Sequence, residues 1–230
     1  MEKTFTKLEK LADLKFKNEA LLQQAFVHRS YLNEHPNFAL DHNERLEFLG
    51  DAVLELVVTE YLYLKFNNPE GELTNWRASL VNSKMLSQIA LRLELDQYLY
   101  LSKGEEKDTG KARQYILANA VEALIGAIYL DLGWDKSKDF ITTFVLCELE
   151  NILDKKLYLD PKSSFQEAAQ EKTGITPTYK VLSEVGPDHA KQFEIGIFLN
   201  KDLIAKGTGS SKQEAQENAA RNALQSKKWE

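Results

Sequence analysis

Cysteine is almost absent from the chain, and the signals of export and membrane insertion are weak. Cys147 is the single cysteine, which excludes an internal disulfide and is typical of a reducing compartment. The N-terminal run MEKTFTKLEKLADLKFK lacks the apolar segment of a secretory signal. The most apolar run, ILANAVEALIGAIYL, contains polar residues and falls short of the roughly 20 apolar residues that span a membrane. We therefore expect a cytoplasmic protein with no membrane association.

Positive charge is scarce in the first two thirds of the chain. Residues 1–160 carry 19 Lys and Arg against 26 Asp and Glu, whereas residues 161–230 carry 10 against 9. An acidic body argues against nucleic acid, because phosphates bind where cations neutralise them. It suits equally well a body that holds divalent metal ions. The net charge of −6 therefore does not decide between these classes.

Helical patterning fills the first part of the chain and gives way to strands after a proline. Apolar residues recur at helical spacing through residues 1–153, with a break near Phe16, and Gly133 suits a helix C-cap. Residues 154–160 are interpreted as a linker. Residues 161–230 predict a helix capped by serine, three strands of period two, and a final helix. The predicted fold is an all-α domain followed by a small α+β domain of order α-β-β-β-α.

The segment HNERLEFLGDAVLELV, residues 42–57, combines acids with the pattern of a buried helix. Asn43 suits the N-cap. At 100° per residue the acids fall within an arc of about 80°; they are Glu44, Glu47, Asp51 and Glu55. The opposite side collects the expected core residues, Leu46, Leu49, Val53, Leu56 and Val57. Like charges four residues apart destabilise a helix by about 0.2–0.5 kcal/mol per pair, so this stripe has a cost.

Two interpretations of the acidic stripe remain open, a solvated face and one wall of a metal site. Arg45 is the single cation among the acids, and the very apolar helix further on contains Glu122, three residues after Asn119. A buried carboxylate is unfavourable unless positive charge meets it. Oxygen ligands suit Mg²⁺ and Mn²⁺. His28 and His42 lack a partner at zinc-ligand spacing and are interpreted as structural.

Several blocks of the sequence together resemble bacterial ribonuclease III. HNERLEFLGDAVL resembles that family's signature helix, and AFVHRSYLNE, EGELTNWRASLV and ILANAVEALIGAIYLD match its other blocks in the same order. DPKSSFQEAAQ, PTYKV, GPDH, KQFEIGIFL and GTGSSKQEAQENAARNAL are similar to its double-stranded-RNA-binding domain. The resemblance covers nearly the whole chain. It implies a homodimeric, Mg²⁺-dependent endoribonuclease, in which Mn²⁺ is able to substitute.

The resemblance also implies a reaction and a set of site residues. The enzyme would cut double-stranded RNA, such as ribosomal precursors and other structured transcripts, to 5′-phosphate and 3′-hydroxyl ends with a short 3′ overhang. Matching positions imply metal ligands at Glu47, Asp51, Asn119 and Glu122, and catalytic roles for Asp51, Glu122, Glu44 and Glu70. Phe48 matches an aromatic residue that inserts into the partner subunit, and Glu55 has no assigned role. Asn119 departs from the family's usual Asp, which predicts a weaker hold on the metal.

In the second domain the resemblance implies three RNA contacts. The first helix would meet one minor groove through Ser163, Gln166 and Gln170, and His189 would enter the next. The start of the last helix would meet phosphates through Ser210, Ser211 and Lys212. Gln213 stands where the family usually has another cation, and with the domain's net charge of +1 this predicts weak binding.

Two other functions remain as alternatives. Asn119 could impair the catalytic half, which would leave a non-cleaving double-stranded-RNA-binding protein. The acidic helices could also form a scaffold attached to an unrelated α+β module. Metal-dependent cleavage of an RNA duplex distinguishes the enzyme from both.

Overall fold

The computed structural model describes residues 3–187 and 191–229, and the chain divides into two compact units. Residues 1–158 form a helical unit, and residues 159–230 form an α+β unit. The predicted fold class is confirmed in both. The division falls within the expected linker, 154–160, and Tyr158 packs against the core of the first unit.

Nine α-helices build the described part of the first unit: α1 Thr6–Leu11, α2 Glu19–Gln24, α3 Arg29–Glu34, α4 Glu44–Lys65, α5 Glu70–Val81, α6 Ser83–Arg92, α7 Lys111–Leu132, α8 Trp134–Phe144 and α9 Leu149–Asp154. Short 3-10 turns lie at Leu95–Tyr98, Glu105–Lys107 and Leu146–Glu148. The last of these lies between α8 and α9. Gly133 ends α7 with φ +87°, as its sequence position predicts.

The N-terminal segment forms three short helices, so the expectation of a single break near Phe16 is wrong. Asn18 caps α2, because its side chain accepts a hydrogen bond from the Leu21 amide. Between α2 and α3, Val27 pairs with Tyr100 in an isolated β-bridge. This pairing with a distant segment holds the chain extended and starts a new helix at Arg29.

Helices α4 and α7 form the centre of the first unit. Helix α7 is long and apolar enough to cross a membrane by length and composition alone. Eleven of its residues are nevertheless buried in the folded unit, so this helix is the core of a globular domain.

The buried side of α4 differs from the predicted core side at Leu56, and the predicted core residue Leu49 is partly buried against the core. Leu46, Val53 and Val57 are buried as predicted. Leu56 is 57% exposed, so its assignment to the core is wrong. The reason is that the buried side shifts around the helix, and Leu54 packs in the core in its place.

The second unit places two helices against one face of a three-stranded antiparallel sheet. Its elements are α10 Pro161–Thr173, β1 Thr178–Val185, β2 Gln192–Leu199, β3 Asp202–Gly209 and α11 Lys212–Lys227. The strand order is β1-β2-β3, with Ile197 opposite Tyr179 and Ala205. The core contains Phe165, Ile197 and Ala219 among its buried residues.

Candidate active site and RNA-binding surface

Two glycines bring the acidic parts of α4 and α7 together. A Cβ at Gly50 would lie 1.7 Å from the Glu122 carbonyl oxygen, and one at Gly126 would lie 2.2 Å from the Leu46 carbonyl oxygen. Both distances are far below van der Waals contact, so the two backbones touch where no side chain fits. This close crossing sets the Glu47–Asp51 turn of α4 against Glu122 of α7.

Burial, together with mutual repulsion, raises the pKa of the acids at this crossing. Burial raises the pKa of Glu122 to about 8, with further contributions from Asp51, Glu47 and Glu55. Burial also raises the pKa of Glu47, helped by Glu44, and that of Asp51, helped by Glu55. The structure therefore brings together the acids that the sequence predicted on two separate helices; Glu47 and Glu122 are partly buried, and Asp51 is exposed.

Asn119 binds directly to one of these acids. Its side chain donates a hydrogen bond to the Glu47 carboxylate, which opposes the rise in the pKa of Glu47. Position 119 thus carries an amide where the resemblance leads us to expect a carboxylate. The resulting group has three acids and one neutral oxygen donor: Glu47, Asp51, Glu122 and Asn119. We call these four residues the acidic cluster.

Cations reach only the edge of the acidic cluster. Arg29 Nη1 lies 3.5 Å from Glu44 Oε1, and His42 Nδ1 lies 3.8 Å from Glu44 Oε2. Within residues 3–187 and 191–229, no ion pair joins a cation to Glu47, Asp51 or Glu122. Burial lowers the pKa of His28, so its imidazole favours the neutral form and does not add a second full positive charge beside Arg29.

The donor set of the acidic cluster fits a hard divalent cation. Three carboxylates and an amide oxygen are the ligands that Mg²⁺ or Mn²⁺ takes in proteins, and the ion's charge would offset the mutual repulsion. As the side chains lie, no three His, Cys, Asp or Glu of the described residues converge to hold an ion. Binding an ion therefore requires the carboxylates to move closer together.

The remaining predicted residues of the first unit lie outside the acidic cluster. Glu70 is exposed at the start of α5 and accepts a hydrogen bond from Thr74 Oγ1 at 3.4 Å. Its charge does not contribute to the shifted pKa values of the cluster. Phe48 projects from α4 with 81% of its surface exposed, although large aromatic residues are normally buried.

Asn43 is the N-cap residue of α4, as predicted, but its side chain makes no capping hydrogen bond. The side chain is 4% exposed and its amide donates to the Ala25 carbonyl at 3.0 Å, while the Asn43 backbone amide donates to Val27 at 2.9 Å. These two bonds tie the start of α4 to the segment that leads into α3. They therefore fix Arg29 beside Glu44.

On the second unit, the α10 residues predicted to meet RNA are exposed. Gln166 and Gln170 are both exposed on this helix. The cap is Asp160, not a serine as predicted, and it accepts hydrogen bonds from the Lys162 and Ser163 amides. Asp160 caps because Pro161 occupies the first helical position, where its missing N–H is no loss.

The start of α11 presents the second predicted contact. Ser211 caps the helix by accepting from the Glu214 amide, and Ser210 Oγ donates to Glu214 Oε2 at 2.6 Å. Lys212 Nζ lies 5.6 Å from the centre of the Phe193 ring. All three predicted residues of this group are exposed at a helix N-terminus, where anions are favoured. His189 lies outside the described residues.

Two features of the site were not predicted from the sequence. The pairing of Arg29 with Glu44, and the inward turn of Asn43, both depend on the contact between the Val27 segment and the start of α4. The sequence signal for this contact was indirect: AFVHRSYLNE and HNERLEFLGDAVL are consecutive blocks that both resemble the same family.

Family models match both units of the chain. Residues 18–149 match a model described as Ribonuclease-III-like, and residues 161–227 match the double-stranded RNA binding motif. The first match covers the acidic cluster, and the second covers the exposed residues of α10 and α11.

Relatives named Ribonuclease 3 align over nearly the full length. That of Streptococcus equi subsp. zooepidemicus is 40% identical over 225 residues, with 97% of each chain covered. That of Natranaerobius thermophilus is 46% identical over 209 residues, with 90% of each covered.

Solved structures match the first unit. The nuclease domain of Campylobacter jejuni ribonuclease III superposes with a TM-score of 0.57 at 41% identity, covering 64% of this chain and 97% of that one. A second structure of that domain, with a TM-score of 0.56 at 42% identity over 62% and 96%, is described as flexible in a region involved in dimer formation. The chain therefore belongs to the ribonuclease III family and is an endoribonuclease with a helical nuclease domain and a double-stranded-RNA-binding domain.

Proposed function

We propose that this endoribonuclease cleaves double-stranded RNA with Mg²⁺ held by Glu47, Asp51, Asn119 and Glu122. The observation that carries the proposal is the close crossing of α4 and α7 at Gly50 and Gly126, which brings Glu47, Asp51 and Glu122 together with no ion pair to a cation within the described residues. Without a bound ion, the carboxylates repel one another and destabilise the fold, whereas a divalent ion bound between them offsets that repulsion. Mn²⁺ has the same preference for oxygen ligands and would substitute.

The chemistry of the reaction explains why the site is acidic. A bound Mg²⁺ neutralises phosphoryl oxygens and lowers the pKa of water, which supplies the nucleophile for phosphodiester hydrolysis. Asp51 and Glu122 would hold and orient the reacting groups. Glu44, with Arg29 beside it, would connect the cluster to the RNA strand. Glu70 enters this proposal through the family resemblance alone, because it is separate from the cluster within one protomer.

We also propose that the enzyme works as a homodimer, with Phe48 at the interface. An aromatic ring that is 81% exposed beside the acidic stripe suits insertion into a second copy. The dimer formation described for the Campylobacter nuclease domain supports this arrangement. Phe48→Ala should weaken the dimer in analytical ultracentrifugation without unfolding the protomer, because the side chain contributes little to the protomer core.

The second unit would supply duplex affinity without sequence preference. Ser163, Gln166 and Gln170 would contact one minor groove, and Ser210, Ser211 and Lys212 would contact phosphates. His189 is proposed for the next minor groove on the family resemblance. The products would carry 5′-phosphate and 3′-hydroxyl ends with a short 3′ overhang. Ribosomal RNA precursors and other structured transcripts in the cytoplasm are the proposed substrates.

Incubation of the purified full-length chain with a long RNA duplex tests the proposal. We expect cleavage with Mg²⁺, none with EDTA, and none from Glu122→Ala, which should still shift the duplex in a gel. Glu55→Gln is the matched control, because it removes an exposed acid from the same stripe, and it should cut normally. Duplex binding without cleavage by the wild type would favour the non-cleaving alternative, in which Asn119 impairs the cluster.

Asn119→Asp separates the effect of the amide from the rest of the site. Restoring a fourth carboxylate should lower the Mg²⁺ concentration needed for half-maximal cleavage. An unchanged Mg²⁺ requirement would show that the side chain at 119 does not contact the ion.

A further inference from the structure

Arg29 lies beside Glu44, at the edge of the acidic cluster. Arg29 Nη1 is 3.5 Å from Glu44 Oε1, and the two side chains are 70% and 47% exposed. An exposed pair at this distance contributes little to stability. The contact is therefore easily exchanged for another one.

The backbone around Arg29 is held much more firmly than the side chain. His28 caps α3, with Nδ1 accepting from the Ser30 amide at 3.3 Å and lying 2.8 Å from Ser30 Oγ. The His28 amide donates to the Tyr100 carbonyl at 3.1 Å, and the Asn43 amide donates to Val27. The backbone of Arg29 is thus fixed next to the start of α4, while its side chain is largely exposed.

We propose that Arg29 is a positioning residue that leaves Glu44 and binds a backbone phosphate of the RNA duplex next to the acidic cluster. A guanidinium presents a planar pair of donors that matches two phosphate oxygens. The acidic cluster itself repels the RNA backbone, so an adjacent cation directs the strand to the site. This inference rests on the proposed function, because it assumes that the cluster acts on duplex RNA.

The salt dependence of duplex binding tests the role of Arg29. Binding is measured in a Glu122→Gln background, so that the RNA stays intact, over a series of salt concentrations. Removing one phosphate contact should reduce the slope of log affinity against log salt by about 0.9 and the affinity about tenfold. Arg29→Gln should show both changes, and Arg29→Lys should recover the slope but only part of the affinity. Arg92→Gln is the control, because this arginine pairs with Glu148 on a different helix.

A double variant distinguishes a phosphate contact from a purely internal ion pair. If Arg29 only balances Glu44, then adding Glu44→Gln to Arg29→Gln should restore the slope. Under the proposal, the double variant keeps the reduced slope, and cleavage by Arg29→Gln in the otherwise wild-type enzyme needs about tenfold more RNA for half-maximal rate. A wild-type slope for Arg29→Gln would overturn the inference, whereas failure of the wild type to cut duplex RNA would overturn the proposed function instead.

Discussion

Replacing Glu122 with glutamine should stabilise the metal-free protein at alkaline pH. Burial and neighbouring acids raise the pKa of Glu122 from 4.5 to about 8. The folded protein therefore binds this proton more tightly than the unfolded chain does. The stability that the protonated carboxyl contributes is complete below about pH 4.5 and is lost as the pH rises through about 8.

The size of the effect follows from the shift in pKa. A shift of this size corresponds to a ceiling of about 5 kcal/mol. Neighbouring acids share the proton and the carboxylate can turn toward water, so we expect about 1–3 kcal/mol for Glu122→Gln above about pH 8. For a unit of this size the melting temperature should rise by about 3–10 °C.

Calorimetry of the full-length chain in EDTA measures this effect, because it separates the transitions of the two units. Glu55→Gln is the control: it removes an exposed acid from the same helix and should change the free energy of unfolding by less than about 0.5 kcal/mol. Added Mg²⁺ should stabilise the wild type more than Glu122→Gln. If Glu122→Gln is no more stable than the wild type in EDTA at alkaline pH, the carboxylate is not buried among uncompensated charges.

Two further substitutions and one control test the backbone contacts that hold the acidic cluster in place. Gly50→Ala should destabilise the nuclease unit by about 3 kcal/mol or more and abolish cleavage, because its methyl group would meet the Glu122 carbonyl. Gly71→Ala, in an exposed helical turn with nothing within 4 Å, should instead stabilise by about 0.5–1 kcal/mol in the same urea titration; equal effects of the two would contradict the close crossing. Asn43→Ala should cost about 1–3 kcal/mol, because it leaves the buried Ala25 carbonyl unpaired; a loss near zero would mean that water replaces the bond.

Local patterns predicted much of the fold and the acidic side of α4. The helical period separated the acids of α4 from its core side, and the period of two identified the three strands. Gly133 ends α7 with positive φ, as the sequence predicted. Each of these features depends on residues that are close in the chain.

The features that were not predicted depend on contacts between distant segments. Val27 is not helical because it pairs with Tyr100 in a β-bridge. The Asn43 side chain points inward because it donates a hydrogen bond to the buried Ala25 carbonyl. Leu56 is exposed because the packing of α4 shifts along its length. The resemblance groups Glu70 with the acids of the site, yet Glu70 is exposed at the start of α5, outside the acidic cluster.

Binding of Mn²⁺, followed by its paramagnetic resonance, is the most direct test of the claim that α4 and α7 together hold a divalent ion. The wild type and Glu55→Gln should bind Mn²⁺ with equal affinity, and Mg²⁺ should displace it. Glu122→Ala should bind at least about tenfold more weakly, because it removes a ligand rather than an outer partner. Wild-type affinity for Mn²⁺ in Glu122→Ala would contradict the account.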